Sequence, residues 1–194
     1  LKLYCGSFAM SKIDNIETLA AIMTQDLSSC LKASVQVRLY PLSEYKEQLR
    51  PIPGASLDAI ELAGDEIFDI YETEPDFLTF DLNSDQTICE TFSTTAFRSL
   101  CPVTGQPDLA AVTIYYKGRA INRAGLLKYL VSYRRHRGFH EQCVEQIYHD
   151  IASRLNPEEL EVYACFTRRG GIDINPFRSS RRDMPNEIIR EKRQ

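Results

Sequence analysis

The residues best suited to chemistry are a cysteine and an aspartate in the stretch SLCPVTGQPDLA, residues 99–110. Cys101 lies in a segment whose two prolines favour a loop, and Asp108 comes directly before an apolar run typical of a strand. A thiolate attacks electrophilic carbon, and a nearby carboxylate can hold or move a proton during that attack. The pair is therefore a candidate for covalent catalysis. From the spacing alone, a small buried cysteine and a turn aspartate are the more common explanation.

His140 and Glu141 form a second candidate group, at the start of a predicted helix. A carboxylate with a fixed rotamer can accept two hydrogen bonds side by side, as the edge of a guanine-like ring requires. The alternative is structural, because a glutamate in the first turn stabilises a helix and a histidine can pack partly buried. The pattern alone does not separate these two explanations.

Two arginines beside two glycines, Arg168 and Arg169 with Gly170 and Gly171, form the third candidate group. Glycine lets the backbone approach a ligand closely, and guanidinium groups bind phosphate. An ordinary solvent-exposed hairpin turn has the same composition, so that alternative stays open. No GxGxxG motif follows a predicted strand, and a Rossmann dinucleotide-binding domain is therefore not expected.

The three groups lie within one predicted module, residues 86–180. Alternating and β-branched patterns predict strands, and apolar stripes with a helical period predict helices. The predicted order is strand 86–97, strand 109–119, helix 122–135, helix 138–155, strand 160–169 and strand 172–179. An antiparallel sheet backed by two helices is an α+β arrangement, and the Cys101 loop joins its first two strands.

The preceding residues predict a shorter version of the same plan. We expect a strand over 1–8, a helix over 14–31 and a strand over 33–42, and we interpret residues 1–45 as the latter part of a first, truncated module. Residues 46–85 are then an acidic connection, and residues 181–194 a basic tail. The acidic run and the tail are expected to be solvated and frayed, although they could also pair with each other.

The composition is that of a globular protein in a reducing compartment. The chain has 194 residues, 43% hydrophobic and 26% charged, and a formal net charge of -4. Its six cysteines show no CxxC pair and no zinc-ligand spacing, so we expect free thiols, no metal and a cytoplasmic location. We expect no membrane segment, because no apolar run is long enough to span a bilayer. The basic tail is a weak signal for nucleic acid, and no direct nucleic-acid partner is predicted.

Three segments taken together carry a more specific signal: CPVTGQPD, YLVSYRRHRGFHEQCVEQI and FTRRGGIDINPFRS, in this order. They closely resemble the NADPH-dependent nitrile reductase family that converts 7-cyano-7-deazaguanine (preQ0) to 7-aminomethyl-7-deazaguanine (preQ1) in queuosine precursor synthesis for tRNA modification. The resemblance is dense over residues 86–180 and looser over residues 1–45. It implies the tunnelling fold, in which antiparallel sheets, each backed by a pair of helices, assemble into barrels on oligomerisation, here as a homodimer.

The resemblance also implies roles for individual residues. Cys101 matches the nucleophile that forms a thioimide with the nitrile, and Asp108 matches the general acid. His140 and Glu141 match the substrate-binding pair, with Glu141 the better match for the guanine-like edge. Arg169 and Gly170 match the turn that binds NADPH, which is used twice. Less certain neighbours of the cofactor are Arg168 and Lys2.

One part of the family pattern is not in this sequence. The resemblance implies that a Glu-Ser-Lys segment, which contributes to both substrate and cofactor binding, lies immediately before Leu1. We therefore expect the site to be incomplete in this chain and the parent protein to begin earlier. The group that activates Cys101 is not identified by the sequence, and Asp108, His140 and water are all candidates.

Two other functions fit parts of the pattern. A relative of GTP cyclohydrolase I would share the tunnelling fold and a purine-binding glutamate, but it requires a zinc centre that three clustered histidines do not readily build. A non-catalytic module that binds a purine or deazapurine would need the pocket but not the thiol. Metal analysis and the effect of Cys101→Ala on ligand binding separate these functions from the reductase.

Overall fold

The computed structural model describes residues 1–45, 49–60 and 68–194. The chain divides into two compact units, Leu1–Gln48 and Leu49–Gln194. The predicted acidic connection at 46–85 therefore falls largely in the second unit, and its residues 46–48 and 61–67 lie outside the described residues.

The first unit is helical. Helix α1 spans Lys2–Ser7, a short 3-10 turn follows at Phe8–Met10, and helix α2 spans Ile16–Leu31. The side chain of Asn15 caps α2 by accepting a hydrogen bond from the N–H of Thr18 at 2.7 Å, and Lys32 ends it in the left-handed conformation. The predicted helix over 14–31 is confirmed.

Both strands predicted in the first unit are wrong. Residues 2–7 form a helix, in which the rings of Tyr4 and Phe8, one turn apart, meet edge to face at 5.1 Å. The Tyr4 hydroxyl also donates to Asp26 of α2 at 2.8 Å. One contact at helical spacing and one with the neighbouring helix thus outweigh the alternating pattern. Residues 33–42 are all described and none lies in a strand. Alternating apolar and polar residues give a strand one apolar face, but a strand is stable only when it also pairs with a neighbouring strand.

The second unit is built on one five-stranded sheet with the order β1-β2-β3-β4-β5. The strands are β1 Ala55–Ser56, β2 Thr87–Leu100, β3 Pro107–Arg119, β4 Glu159–Phe166 and β5 Phe177–Ser179. Helices α3, Arg123–Ser132, and α4, His140–Leu155, lie between β3 and β4 in the chain. The mixed α+β class and the strand and helix order from β2 to β5 are confirmed. The sheet is not purely antiparallel, because β1 pairs with β2 in parallel.

Alternate residues of the long strands form the core beneath the two helices. Phe92, Ile114, Val162 and Phe166 are each at most 2% exposed, and they share one buried cluster with residues of α3 and α4. Apolar burial of this kind supplies the main stabilisation of such a layer. The register of β2 and β3 shifts between Thr94 and Phe97, and pairing then continues from Phe97 to Leu100 opposite Ala110 to Pro107. The paired strand ends therefore fix the loop that holds Cys101.

The opposite face of the sheet is covered by the C-terminal residues, so the expectation of a frayed tail is wrong. Tyr163 and Cys165 of β4 pack there with Ile189. The amide of Gln194 donates to the carbonyl of Phe166 at 2.9 Å and to the side chain of Asn175 at 2.6 Å. Apolar side chains between the charged residues anchor this segment. A prediction made from charge alone does not take them into account.

The acidic run pairs mainly with basic residues of the sheet and helices. Asp76 contacts Arg154 at 2.5 Å, and Asp85 contacts Arg119 at 2.7 Å. In the tail, Arg182 contacts the buried Glu161 of β4. Burial acts to raise the pKa of Asp58, but hydrogen bonds from Thr94 and Thr95 and the charge of Arg193 in the tail lower it overall. The two charged segments therefore also interact with each other at this point. In the described part of the chain, no helix combines the length and apolar character needed to cross a membrane.

Candidate active site

The loop between β2 and β3 holds Cys101 in a closed turn. The N–H of Cys101 donates to the carbonyl of Gln106 at 2.8 Å, and its carbonyl accepts from the N–H of Gly105 at 2.9 Å. Gly105 has a φ of 71°, a conformation that glycine adopts without strain. The thiol of Cys101 is partly exposed, which a nucleophile requires.

The surroundings of Cys101 favour the thiolate. Hydrogen bonding from the Thr104 hydroxyl, and then from the N–H groups of Thr104 and Val103, lowers the pKa of Cys101 below its ordinary value. Partial burial opposes this effect, and the positive charge of Arg169 adds to it. These donors come from the loop itself, so spacing in the sequence gave no sign of them.

Asp108 is buried at the start of β3 and faces two cationic or polar groups. Its Oδ1 accepts hydrogen bonds from Nε of Arg169 at 2.8 Å and from the NH2 group of the same guanidinium. Nε2 of His140 lies 3.3 Å from that oxygen. The carboxylate therefore sits where a proton can be exchanged with His140 while Arg169 balances its charge.

His140 is packed in the protein core. Its ring stacks on Phe166 with centroids 3.9 Å apart and planes 3° apart, and the residue is 6% exposed. Its Nδ1 is buried and has no hydrogen-bond partner among the described residues. Buried polar atoms without partners are uncommon, so this nitrogen is a candidate contact for a bound ligand.

The N-terminus of α4 reaches the Cys101 loop because the segment before it pairs with the end of β2. The N–H of Leu100 donates to the carbonyl of His136 at 2.8 Å, and the N–H of Gly138 donates to the carbonyl of Leu100 at 3.2 Å. A side chain at Gly138 would meet Nε2 of His136 at 2.7 Å, so glycine permits this close approach. Glu141 lies exposed in the first turn of α4.

Arg169 joins this group from the turn after β4. Its Nη1 donates to Oε1 of Gln106 at 2.9 Å, so one guanidinium contacts both the Cys101 loop and Asp108. Arg168 is more exposed and contacts Asp173 at 3.6 Å. A cavity of about 300 Å³ opens beside the turn, lined by Gln106, Pro107, Asp108, Thr167, Arg168, Arg169 and Gly170.

The structure brings together most of the predicted site residues in the second unit. Cys101, Asp108, His140 and Arg169 are connected by the contacts above, and Arg168 and Gly170 line the adjoining cavity. Lys2 lies in α1 of the first unit. Sequence reasoning missed Thr104 and Gln106, although both stand inside the quoted CPVTGQPD motif.

The described residues include no group of three or more His, Cys, Asp or Glu side chains placed to hold a metal ion. The zinc centre that a cyclohydrolase would need therefore has no candidate ligand set in the described ranges.

Comparison with known proteins gives a consistent result. Residues 107–185 match the family model described as QueF-like protein. Over 180 residues the chain is 46% identical to the NADPH-dependent 7-cyano-7-deazaguanine reductase of Burkholderia thailandensis, and 44% identical to that of Burkholderia multivorans. Each match covers 92% of this chain and 64% of the relative. The resemblance stated from the sequence is confirmed. The chain spans 64% of the length of these relatives, slightly less than two thirds.

Among solved structures, an archaeosine synthase described as QueF-Like, in the apo form, matches 48% of this chain and 92% of its own. The TM-score is 0.43 and the sequence identity is 19%.

Proposed function

We propose that this chain, which resembles the 7-cyano-7-deazaguanine reductases over 92% of its length, carries the nitrile-reducing site of such an enzyme. The observation that carries the proposal is the convergence on one loop of a thiol with a lowered pKa and a buried Asp108 that contacts Arg169 and His140. A non-catalytic binding module would not need a thiol prepared in this way.

The proposed first step is addition of the Cys101 thiolate to the nitrile carbon of preQ0. The C–S bond forms as one π bond of the nitrile breaks, and the nitrogen takes a proton, which gives a thioimide. Asp108 is the proposed proton donor, and His140 at 3.3 Å is the group through which it would be reprotonated. Arg169 would hold the Asp108 carboxyl in place through this exchange.

Substrate recognition is assigned to the start of α4. The exposed carboxylate of Glu141 is proposed to accept two hydrogen bonds from the guanine-like edge of preQ0. His140, whose Nδ1 lacks a partner among the described residues, is the proposed second contact. Both residues follow the 136–138 segment that is hydrogen-bonded to Leu100, so the substrate would lie close to Cys101.

NADPH supplies hydride when bound, and two equivalents account for the four-electron reduction to a primary amine. The residues at the cavity suit its phosphates, because Arg168 is exposed there and Gly170, with a φ of 58°, forms the adjoining turn. We assign phosphate binding to Arg168, Arg169 and Gly170. Arg169 would then serve both Asp108 and the cofactor.

At the level of the assembly, we propose the tunnelling fold and a homodimer. The support is the β-β-α-α-β-β order of the second unit and the short β1 and β5 at the two edges of its sheet. We further propose two modules, of which residues 1–45 belong to the first and 86–180 form the catalytic one, acting in the cytoplasm on a small molecule rather than on nucleic acid.

The test is oxidation of NADPH with and without preQ0 by the chain extended before Leu1 to restore the Glu-Ser-Lys segment that the resemblance implies. The Burkholderia thailandensis relative is the positive control. We expect preQ0-dependent oxidation that Cys101→Ala abolishes and Asp108→Asn reduces by a factor of about 100 or more. Thr87→Val, an exposed change at the other end of β2, should leave the rate unchanged. Binding of preQ0 that Cys101→Ala does not affect, without NADPH oxidation, would instead identify a non-catalytic module.

A further inference from the structure

Strand β2 contains a bulge shortly before Cys101. Thr94 pairs with Val112 and Phe97 pairs with Ala110, so β2 has one residue more than β3 over this stretch. Because side chains alternate between the two faces of a sheet, one extra residue moves every later side chain of β2 to the other face.

The burial of β2 shows this change of face. Phe92 and Phe97 both lie in the core cluster beneath α3 and α4, although a regular strand would place residues five positions apart on opposite faces. Ser99 is fully buried and pairs with the buried Asp108. The same alternation places the side chain of Cys101, two residues after Ser99, on the face that holds Asp108. In a strand without the bulge, Cys101 would face the C-terminal segment instead.

Asp58 holds the bulge by its side chain. Its Oδ2 accepts hydrogen bonds from the N–H of Thr95 at 2.8 Å and from the hydroxyl of Thr95 at 2.7 Å, and its Oδ1 accepts from the hydroxyl of Thr94. The N–H of Ala96 donates to Oγ1 of Thr94 at 3.1 Å, and Nη1 of Arg193 donates to the carbonyl of Thr95 at 3.1 Å. Side chains thus bind backbone groups at the bulge that a regular ladder would pair with β3.

The position of Asp58 is fixed by its own neighbours in the chain. Ser56 of β1 pairs with Ser93 of β2, directly before the bulge. Leu57 is 1% exposed and belongs to the core cluster. Asp58 therefore reaches the bulge from a segment that is anchored independently of the Cys101 loop.

We propose that Asp58 is a positioning residue for Cys101. By holding the bulge, it keeps the thiol on the face of the sheet where Asp108 contacts His140. It acts through the backbone of β2 and not by contact with the substrate. The inference deepens the proposed function, because it rests on Cys101 being the nucleophile of that site.

The first test measures the rate of covalent capture of preQ0 without NADPH, by intact mass, over a series of preQ0 concentrations and in the chain extended before Leu1. Asp58→Ala should lower the maximal rate about ten-fold or more, because the thiol is misplaced. The half-saturating preQ0 concentration should change less than about two-fold, because the residues assigned to recognition lie on α4. Asp58→Asn keeps one acceptor oxygen and should give an intermediate rate. Asp76→Ala is the matched control, since this exposed carboxylate of the same acidic run contacts Arg154.

The second test needs no substrate. In a Cys101→Ala background, Ser99→Cys introduces a thiol at a position that is fully buried while the bulge is in place. Adding Asp58→Ala should raise its rate of modification by iodoacetamide about ten-fold or more, whereas the buried Cys143 stays protected. If Cys143 becomes equally reactive, Asp58→Ala has unfolded the chain, and Asp58→Asn then provides the comparison.

An unchanged maximal rate of capture in Asp58→Ala, or an equal loss in Asp76→Ala, overturns the inference. A thiol at position 99 that stays protected in the Asp58→Ala background does the same. If the unmodified chain captures no preQ0 while that thiol becomes reactive, the proposed function is rejected and the hold of Asp58 on the bulge stands. Capture that Asp58→Ala leaves unchanged rejects the inference alone.

Discussion

Asp108 is a buried carboxylate, and Arg169 is the cation that faces it. Removing the guanidinium leaves a charge in the protein interior without its partner, which is costly even when the partner is partly exposed. We expect Arg169→Met to lower the free energy of unfolding by roughly 1–3 kcal/mol. The measurement is urea denaturation at pH 7.

Arg168→Met is the matched control for that prediction. Its guanidinium is 42% exposed and contacts Asp173 at 3.6 Å, a surface pair that contributes less than about 1 kcal/mol. Equal losses in the two variants would show that the Asp108 contact has no special role in stability.

Cys101 and Cys143 differ in their surroundings, because Cys101 lies in a partly exposed loop and Cys143 is buried in the core. Burial raises the pKa of Cys143 to about 11, whereas hydrogen bonding lowers the pKa of Cys101. At pH 7 iodoacetamide should therefore modify Cys101 at least ten-fold faster than Cys143, as measured on their separate peptides. Comparable rates would mean that Cys101 is not activated or that the core opens readily.

The residue scale also shows how far sequence reasoning reaches. The segment CPVTGQPD is contiguous, so Cys101 and Asp108 could be proposed from it directly. The contacts of Asp108 with Arg169 and His140 depend on elements distant in the chain. Residue types marked Arg169 and His140 as separate candidates, but they did not show that both contact Asp108.

Helix α3 illustrates a position where packing overrides helix propensity. A Cβ at Gly125 would lie 2.3 Å from the carbonyl oxygen of Phe77, which is backbone and cannot move aside easily. We expect Gly125→Ala to lower the free energy of unfolding by roughly 1–3 kcal/mol, although alanine is the better helix former. Thermal unfolding followed by circular dichroism measures this effect.

Gly6 in helix α1 provides the comparison. A Cβ at Gly6 would meet nothing within 4 Å, so Gly6→Ala should be neutral or raise helix stability by up to about 1 kcal/mol. A loss at Gly6 as large as that at Gly125 would show that the contact with Phe77 does not determine the cost.

At the scale of elements, prediction succeeded where a segment is long and strongly patterned. Strands β2 and β3, helices α2 and α4 and their order all follow from periodicity. It failed for residues 1–8 and 33–42, whose alternation suits a strand but whose local contacts are helical or irregular. The two-residue β1 carries too little pattern to be recognised at all, because its place in the sheet comes from pairing with β2.

The whole second unit should lose stability at alkaline pH. Burial raises the pKa values of Cys143 and Cys165 to about 11 from an ordinary value of 9.0. Between pH 9 and 11 the unfolded chain loses these protons while the folded chain retains them, so the free energy of unfolding falls as pH rises. Urea denaturation across this range checks the direction.

Cys143→Ala and Cys165→Ala isolate the contribution of each thiol. Each variant should show a shallower fall between pH 9 and 11 than the unmodified chain, whatever its stability at pH 7. Slopes identical to that of the unmodified chain would mean that these thiols ionise equally in both states.

The C-terminal residues change the view of the whole molecule. Charge content suggested a solvated tail, but Ile189 and Gln194 hold residues 181–194 on the face of the sheet opposite α3 and α4. The sequence analysis assigned no segment to that face of the sheet. The fold that positions the site therefore has three layers in the second unit: helices, sheet and C-terminal segment.

The most direct test of the account is intact-mass measurement after incubation with preQ0 in the absence of NADPH, beside the same measurement on Cys101→Ala. Both proteins are extended before Leu1 to restore the Glu-Ser-Lys segment that the resemblance implies. Addition of the thiol across the nitrile loses no atoms, so we predict an increase equal to the mass of one preQ0 in the unmodified chain and none in the variant. No increase in either protein, or an adduct that persists in Cys101→Ala, would contradict the assignment of Cys101 as the nucleophile.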